Sequence, residues 1–120
     1  MTIEKEGLRL PEPKEDRLAE HLNELRRCCL AGLPDGLVVL SVDAFEEQTA
    51  EGYADYDDAA LFTARDDTNG VRWAVLESWA DATGHGCQCG AEVSFHPDRD
   101  TAIRLGLSDR GRKLLGVEIV

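Results

Sequence analysis

Between Ala59 and Trp79 the chain carries the pattern that most restricts its fold: an apolar run, a turn cluster and an alternating return. Ala59 to Arg65 is mostly apolar. Asp66-Asp67-Thr68-Asn69-Gly70 follows, and Asn and Gly accept the positive φ angles of a tight turn. Val71, Trp73, Val75 and Trp79 then alternate with Arg72, Ala74 and Ser78, the period of a strand with one apolar face. The pattern predicts an antiparallel hairpin at 59–79, with Trp73 turned into the core.

The flanking sequence sets what packs on that hairpin. Pro13 suits a first helical position, Glu15 and Asp16 favour the positive end of a helix, and Leu18, Leu22, Leu25 and Cys29 recur at helical spacing. Gly32 and Pro34 stop the pattern, so a helix is expected over 13–31, with His21 as a partly buried packing residue and Cys28 and Cys29 buried. Leu37 to Val42 reads as a short buried strand, and the acidic residues 43–58 as a connection. Ala91 to His96 reads as a further strand. Asp98 to Leu105 and the residues after Ser108 read as two short helices, ended by Gly106 and Gly116, and 117–120 as an edge strand. The expected class is α+β: an N-terminal helix, a small, mostly antiparallel sheet and two short C-terminal helices. Residues 1–12 are polar and read as an arm, leaving 13–120 as a single domain.

Charge excludes some functions. Residues 28–97 hold thirteen acids against only Arg65 and Arg72, which accounts for the net charge of −11. Such a body repels phosphate, so direct binding to nucleic acid or to an anionic membrane is not expected, whereas a basic protein surface is a fitting partner. No apolar run reaches the ~20 residues of a membrane helix, and Met1 to Glu6 lacks the features of a signal peptide. The expected compartment is the cytoplasm, where thiols stay reduced and cysteines serve metal binding, redox chemistry or burial.

One loop concentrates that chemistry. Gly84-His85-Gly86-Cys87-Gln88-Cys89-Gly90 reads as an exposed turn displaying two thiols. Cys87 and Cys89, with His85 or His96, are candidate zinc ligands, the fourth coming from the other histidine, Asp81 or Cys28/Cys29. Two other readings stand beside zinc: glycines shaping a turn whose thiols pack as small apolar groups, and a strained, easily reduced Cys87–Cys89 disulfide. Tyr53, Asp55, Tyr56, Asp57 and Asp58 form a second candidate site, a tyrosine–acid surface suited to a basic partner.

Glu51-Gly52-Tyr53-Ala54-Asp55-Tyr56, Ser78-Trp79, the Cys-x-Cys loop and Ala102 to Ser108 together resemble small acidic uncharacterised proteins of actinobacteria and their phages. The resemblance spans roughly 51–116 and implies an accessory role in host or phage, without a catalytic assignment. No phosphate loop, dinucleotide fingerprint, nucleophile elbow or zinc-protease helix is present in the sequence. The expected function is therefore protein binding by a small acidic cytoplasmic domain, with zinc rigidifying the Cys-x-Cys loop. The alternatives are a small thiol- or zinc-dependent enzyme, and an acidic nucleic-acid mimic that inhibits a DNA-binding protein.

Overall fold

Leu18, Leu22 and Leu25 form one stripe along a helix, and all three are buried. They belong to α1 (Lys14–Cys28) of a computed structural model that describes residues 13–28, 33–49, 56–81 and 88–119. Side chains at positions 28, 48, 49, 56, 57, 80, 81, 88 and 89 lie outside that description. Glu15 and Asp16 occupy the first turn of α1 and Arg26 and Arg27 the last, which matches the helix dipole.

The stripe packs on a four-stranded antiparallel meander in chain order, β1 (Val38–Thr49), β2 (Tyr56–Asp66), β3 (Gly70–Asp81) and β4 (Gln88–His96). The expected hairpin forms its centre, closed by the Asp66–Gly70 pair. Asp66 accepts the Thr68 N–H at 2.9 Å and the backbone N–H of Asn69, and Gly70 takes φ 72°. The Asn69 N–H, foremost among those bonds, holds the Asp66 carboxyl below the usual carboxylate range.

Both faces of the sheet are covered. Ala60, Phe62, Ala64, Ala74 and Leu76 pack with the α1 leucines, while Leu61 and Val75 pack with Ala102, Ile103 and Leu107 from the C-terminal segment. Period-two alternation therefore delivers side chains to two cores, which is why Ala59 to Phe62 are all buried. Trp73 lies against the C-terminal cluster, as expected of a core residue, but Trp79 is 38% exposed.

β1 reaches this arrangement through two irregularities. Its register shifts between Val39 and Ser41 and again between Val42 and Ala44. Each shift adds one residue and reverses the facing, as a bulge does. Val39, Val42 and Phe45 thus all turn to α1, opposite Ala64, Phe62 and Ala60. Val38 and Leu40, expected inside a buried strand, are instead 43% and 39% exposed.

The C-terminal face is built from short pieces. Asp98 caps α2 (Arg99–Thr101) by accepting the Thr101 N–H at 2.8 Å. A π-helical stretch, Ala102–Gly106, follows and closes with Leu107 N–H donating to the Ala102 carbonyl. Ser108 caps α3 (Asp109–Leu115), which ends on Gly116 at φ 72°.

The α+β expectation holds, with corrections to its parts. Of the acidic residues 43–58, expected as a connection, 43–49 and 56–58 are strand: β1 continues to Thr49 and β2 begins at Tyr56. Cross-strand pairing there overrides the weak β preference of acids. β4 begins at Gln88, so the end of the glycine-rich segment is strand and not turn. Residues 117–119 form no strand, and Val117 packs on the C-terminal core. Among the described residues no helix is long and apolar enough to cross a membrane.

Candidate functional site

Register places Glu47, Asp58, Ser78 and Ala91 in one row across the four strands, one step beyond the apolar row Phe45, Ala60, Leu76 and Val93. The row faces α1, and His21 meets it. His21 Nε2 lies 3.3 Å from Asp58 Oδ2 and 3.3 Å from Ser78 Oγ, its Nδ1 lies 3.7 Å from Glu47 Oε2, and its ring stacks obliquely on Phe45. Arg17, one turn earlier on α1, pairs with Glu47 Oε1. Helical spacing thus aims Arg17 and His21 at a row whose alignment comes from the sheet.

Asp58 is 5% exposed and Ser78 1%. Burial holds the His21 imidazole below its ordinary range, opposed by Glu24 and reinforced by Arg17. A neutral ring donates one N–H, and with Nε2 as donor the Asp58 carboxylate is the stronger acceptor. Ser78, His21 and Glu47 have the order of a hydrolytic triad, yet no substrate reaches a serine sealed beneath a helix. What this cluster offers instead is a set of ligands. Among the described residues, His21, Glu47 and Asp58 form a group whose ligand atoms lie within 4.8 Å of one another. A solvent-open depression of about 480 Å³, walled by Glu20, Glu24 and Arg27, borders it.

The opposite face carries a second polar assembly. Glu77 accepts both the Ser108 N–H (2.6 Å) and the Ser108 hydroxyl (2.7 Å), which pins the start of α3 to β3. A Cβ at Gly111 would lie 2.5 Å from that carboxylate, so a side chain there would push Glu77 off its bonds to Ser108. Glu92 is the cross-strand partner of Glu77 and is exposed. One step along, the Trp79 indole lies across Gly90, its register partner, where any Cβ would collide with the ring. Trp79, Glu77, Glu92, Asp109 and Arg110 surround an open concavity of about 570 Å³.

The residues singled out from sequence scatter over this frame. His85, Cys87, Tyr53 and Asp55 lie outside the described residues. Cys89 pairs through its backbone with Ala80 near the start of β4, and His96 ends the same strand. Seven steps along an extended strand separate their backbones by roughly 23 Å, so Cys89 and His96 do not meet around one ion. His96 is engaged elsewhere: its Nε2 lies 2.8 Å from Ser94 Oγ and abuts Gly106. Desolvation, opposed by Asp98, holds its pKa below the ordinary value. Tyr56 and Asp57 are in β2, opposite Ala80 and Trp79. Asp58, expected on an exposed acidic surface, is buried against His21, because its register position faces α1.

Sequence reasoning passed over His21, Glu47 and Ser78 as a group and Trp79 as an exposed residue. His21 beside the leucine stripe is a legible signal, but its partners emerge only once 43–58 is paired as strand. Comparison with known protein families, curated proteins and solved structures finds no match to this chain.

Proposed function

We propose that this chain is a cytoplasmic accessory domain that binds a basic segment of a partner protein through the Trp79 face of its sheet. The exposed Trp79 indole beside Glu77, Glu92 and Asp109 carries the reading. Tryptophan is the best cation–π acceptor, worth about 0.5–2 kcal/mol for a lysine or arginine on its face. The neighbouring carboxylates add charge-assisted hydrogen bonds to the same cation. Arg110 on the rim keeps the pocket from being uniformly acidic. Glu77, already bonded to Ser108, sets the floor, which leaves Glu92 as the contact residue. The net charge of −11 acts at longer range, steering a basic partner and repelling nucleic acid.

Fluorescence titration tests this in a Trp73→Phe background, where Trp79 is the sole tryptophan. An arginine- and lysine-rich peptide is expected to change Trp79 emission saturably, with affinity falling as ionic strength rises. Glu92→Lys should weaken binding by an order of magnitude or more. An equal response to an acidic peptide, or to the basic peptide in Glu92→Lys, would overturn the assignment.

A further inference from the structure

Glu47 and Asp58 are direct cross-strand partners on the α1 face of the sheet. Like charges in that relation repel, and the Asp58 side chain, 4% exposed, gains little screening from water. A cation between the two carboxylates removes the conflict. Arg17 meets Glu47 only at Oε1, so Oε2 still points toward His21.

The geometry is close to that of a coordination shell. Ligands of a tetrahedral zinc ion with bonds of about 2.0–2.1 Å are spaced roughly 3.3 Å apart. His21 Nε2 and Asp58 Oδ2 are 3.3 Å apart. The full set of three spans up to 4.8 Å, and the remaining contraction falls to Glu47, whose side chain is 32% exposed and has room to swing. The depression beyond it leaves a fourth position open to water, and on its wall Glu20 and Glu24 stand against Arg17 and Arg27. One imidazole and two carboxylates suit a first-row divalent ion and lack the soft sulfur that a thiolate site supplies.

We propose that His21, Glu47 and Asp58 form a zinc site that clamps α1 to β1 and β2, separate from the Cys-x-Cys segment. The ion would join three elements that are distant in sequence, and its contribution would be to stability rather than to turnover. This assignment does not depend on the partner-binding reading of the Trp79 face.

Cobalt titration of the full chain, followed by zinc displacement, distinguishes the two thiol and non-thiol sources of ligands. In Cys87→Ser/Cys89→Ser protein, one equivalent of Co²⁺ is expected to bind with the visible d–d bands of a four-coordinate ion and no thiolate charge-transfer band. Glu47→Gln, at a solvent-accessible position, should weaken binding by at least the ~10-fold that even an outer-shell partner costs, with the far-UV circular dichroism unchanged. Glu20→Gln should leave it unaltered. Measuring Glu47→Gln in the wild-type background as well keeps the test independent of whether the cysteine variant folds. The proposal is overturned by binding that disappears with the cysteines, by binding indifferent to Glu47→Gln, by equal loss in Glu20→Gln, or by folded protein that takes up no metal.

Discussion

On one face of the sheet, α1 lays Leu18, Leu22 and Leu25 over Phe45, Phe62 and Leu76. On the other, short helical pieces cover a smaller patch around Leu61 and Val75, and named polar bonds hold them in place. Glu77 grips Ser108, and Arg112 donates to the Ile103 and Leu107 carbonyls at 3.0 and 2.7 Å. A fifteen-residue helix spreads its adhesion over many apolar contacts, whereas α3, with seven residues, has few to offer and depends on caps and bridges. The polar groups also differ. Under α1 they sit at the end of the leucine stripe as a compact cluster, while opposite they anchor the helix and leave Trp79 and Glu92 facing outward.

The contrast predicts a graded series of effects. Leu22→Ala, deep beneath α1, should cost about 2–5 kcal/mol of global stability, read as a lower denaturation midpoint. Glu77→Ala should cost about 1.5–3 kcal/mol for its charged hydrogen bonds, with amide exchange rising first in α3. A global loss from Glu77→Ala equal to that of Leu22→Ala, with no selective exchange in α3, would break the distinction between the faces. Ser108→Ala should cost about 1 kcal/mol through the α3 cap, and a double-mutant cycle with Glu77→Ala should be strongly non-additive.

The smallest effect is a pH dependence in the central turn, neutral between the two faces. Asp66 has a carboxyl pKa below its ordinary 3.8 in the folded state, so folding favours the ionised form. Its stabilisation is complete above that ordinary value and is lost as pH falls through the lower folded one. The stability difference between wild type and Asp66→Asn should therefore shrink on acidification below about pH 4. A difference that stays constant with pH would assign the turn's stability to geometry alone.

The elements that were legible in the sequence are those whose signal is local. The leucine spacing of α1, the Asp66–Gly70 turn, the caps at Asp98 and Ser108 and the stop at Gly116 each depend on neighbours within a turn or two. The extent of β1 and β2 was not legible, because acids such as Glu46, Glu47, Asp57 and Asp58 carry little strand propensity of their own. Nor was the facing of Val39, Val42 and Phe45, whose spacing of three fits a strand only after two bulges.

Composition and periodicity by themselves determined the α+β class, the central hairpin and the acidic excess of residues 28–97. Tertiary structure alone decided which polar groups meet. Helix α1 brings His21 over Glu47 and Asp58, and the pairing of β3 with β4 lays Trp79 across Gly90 and sets Glu77 opposite Glu92. The physical reason is that a helix or a turn is specified by residues a few positions apart. A site is specified by strand register, and register depends on the packing of the whole sheet.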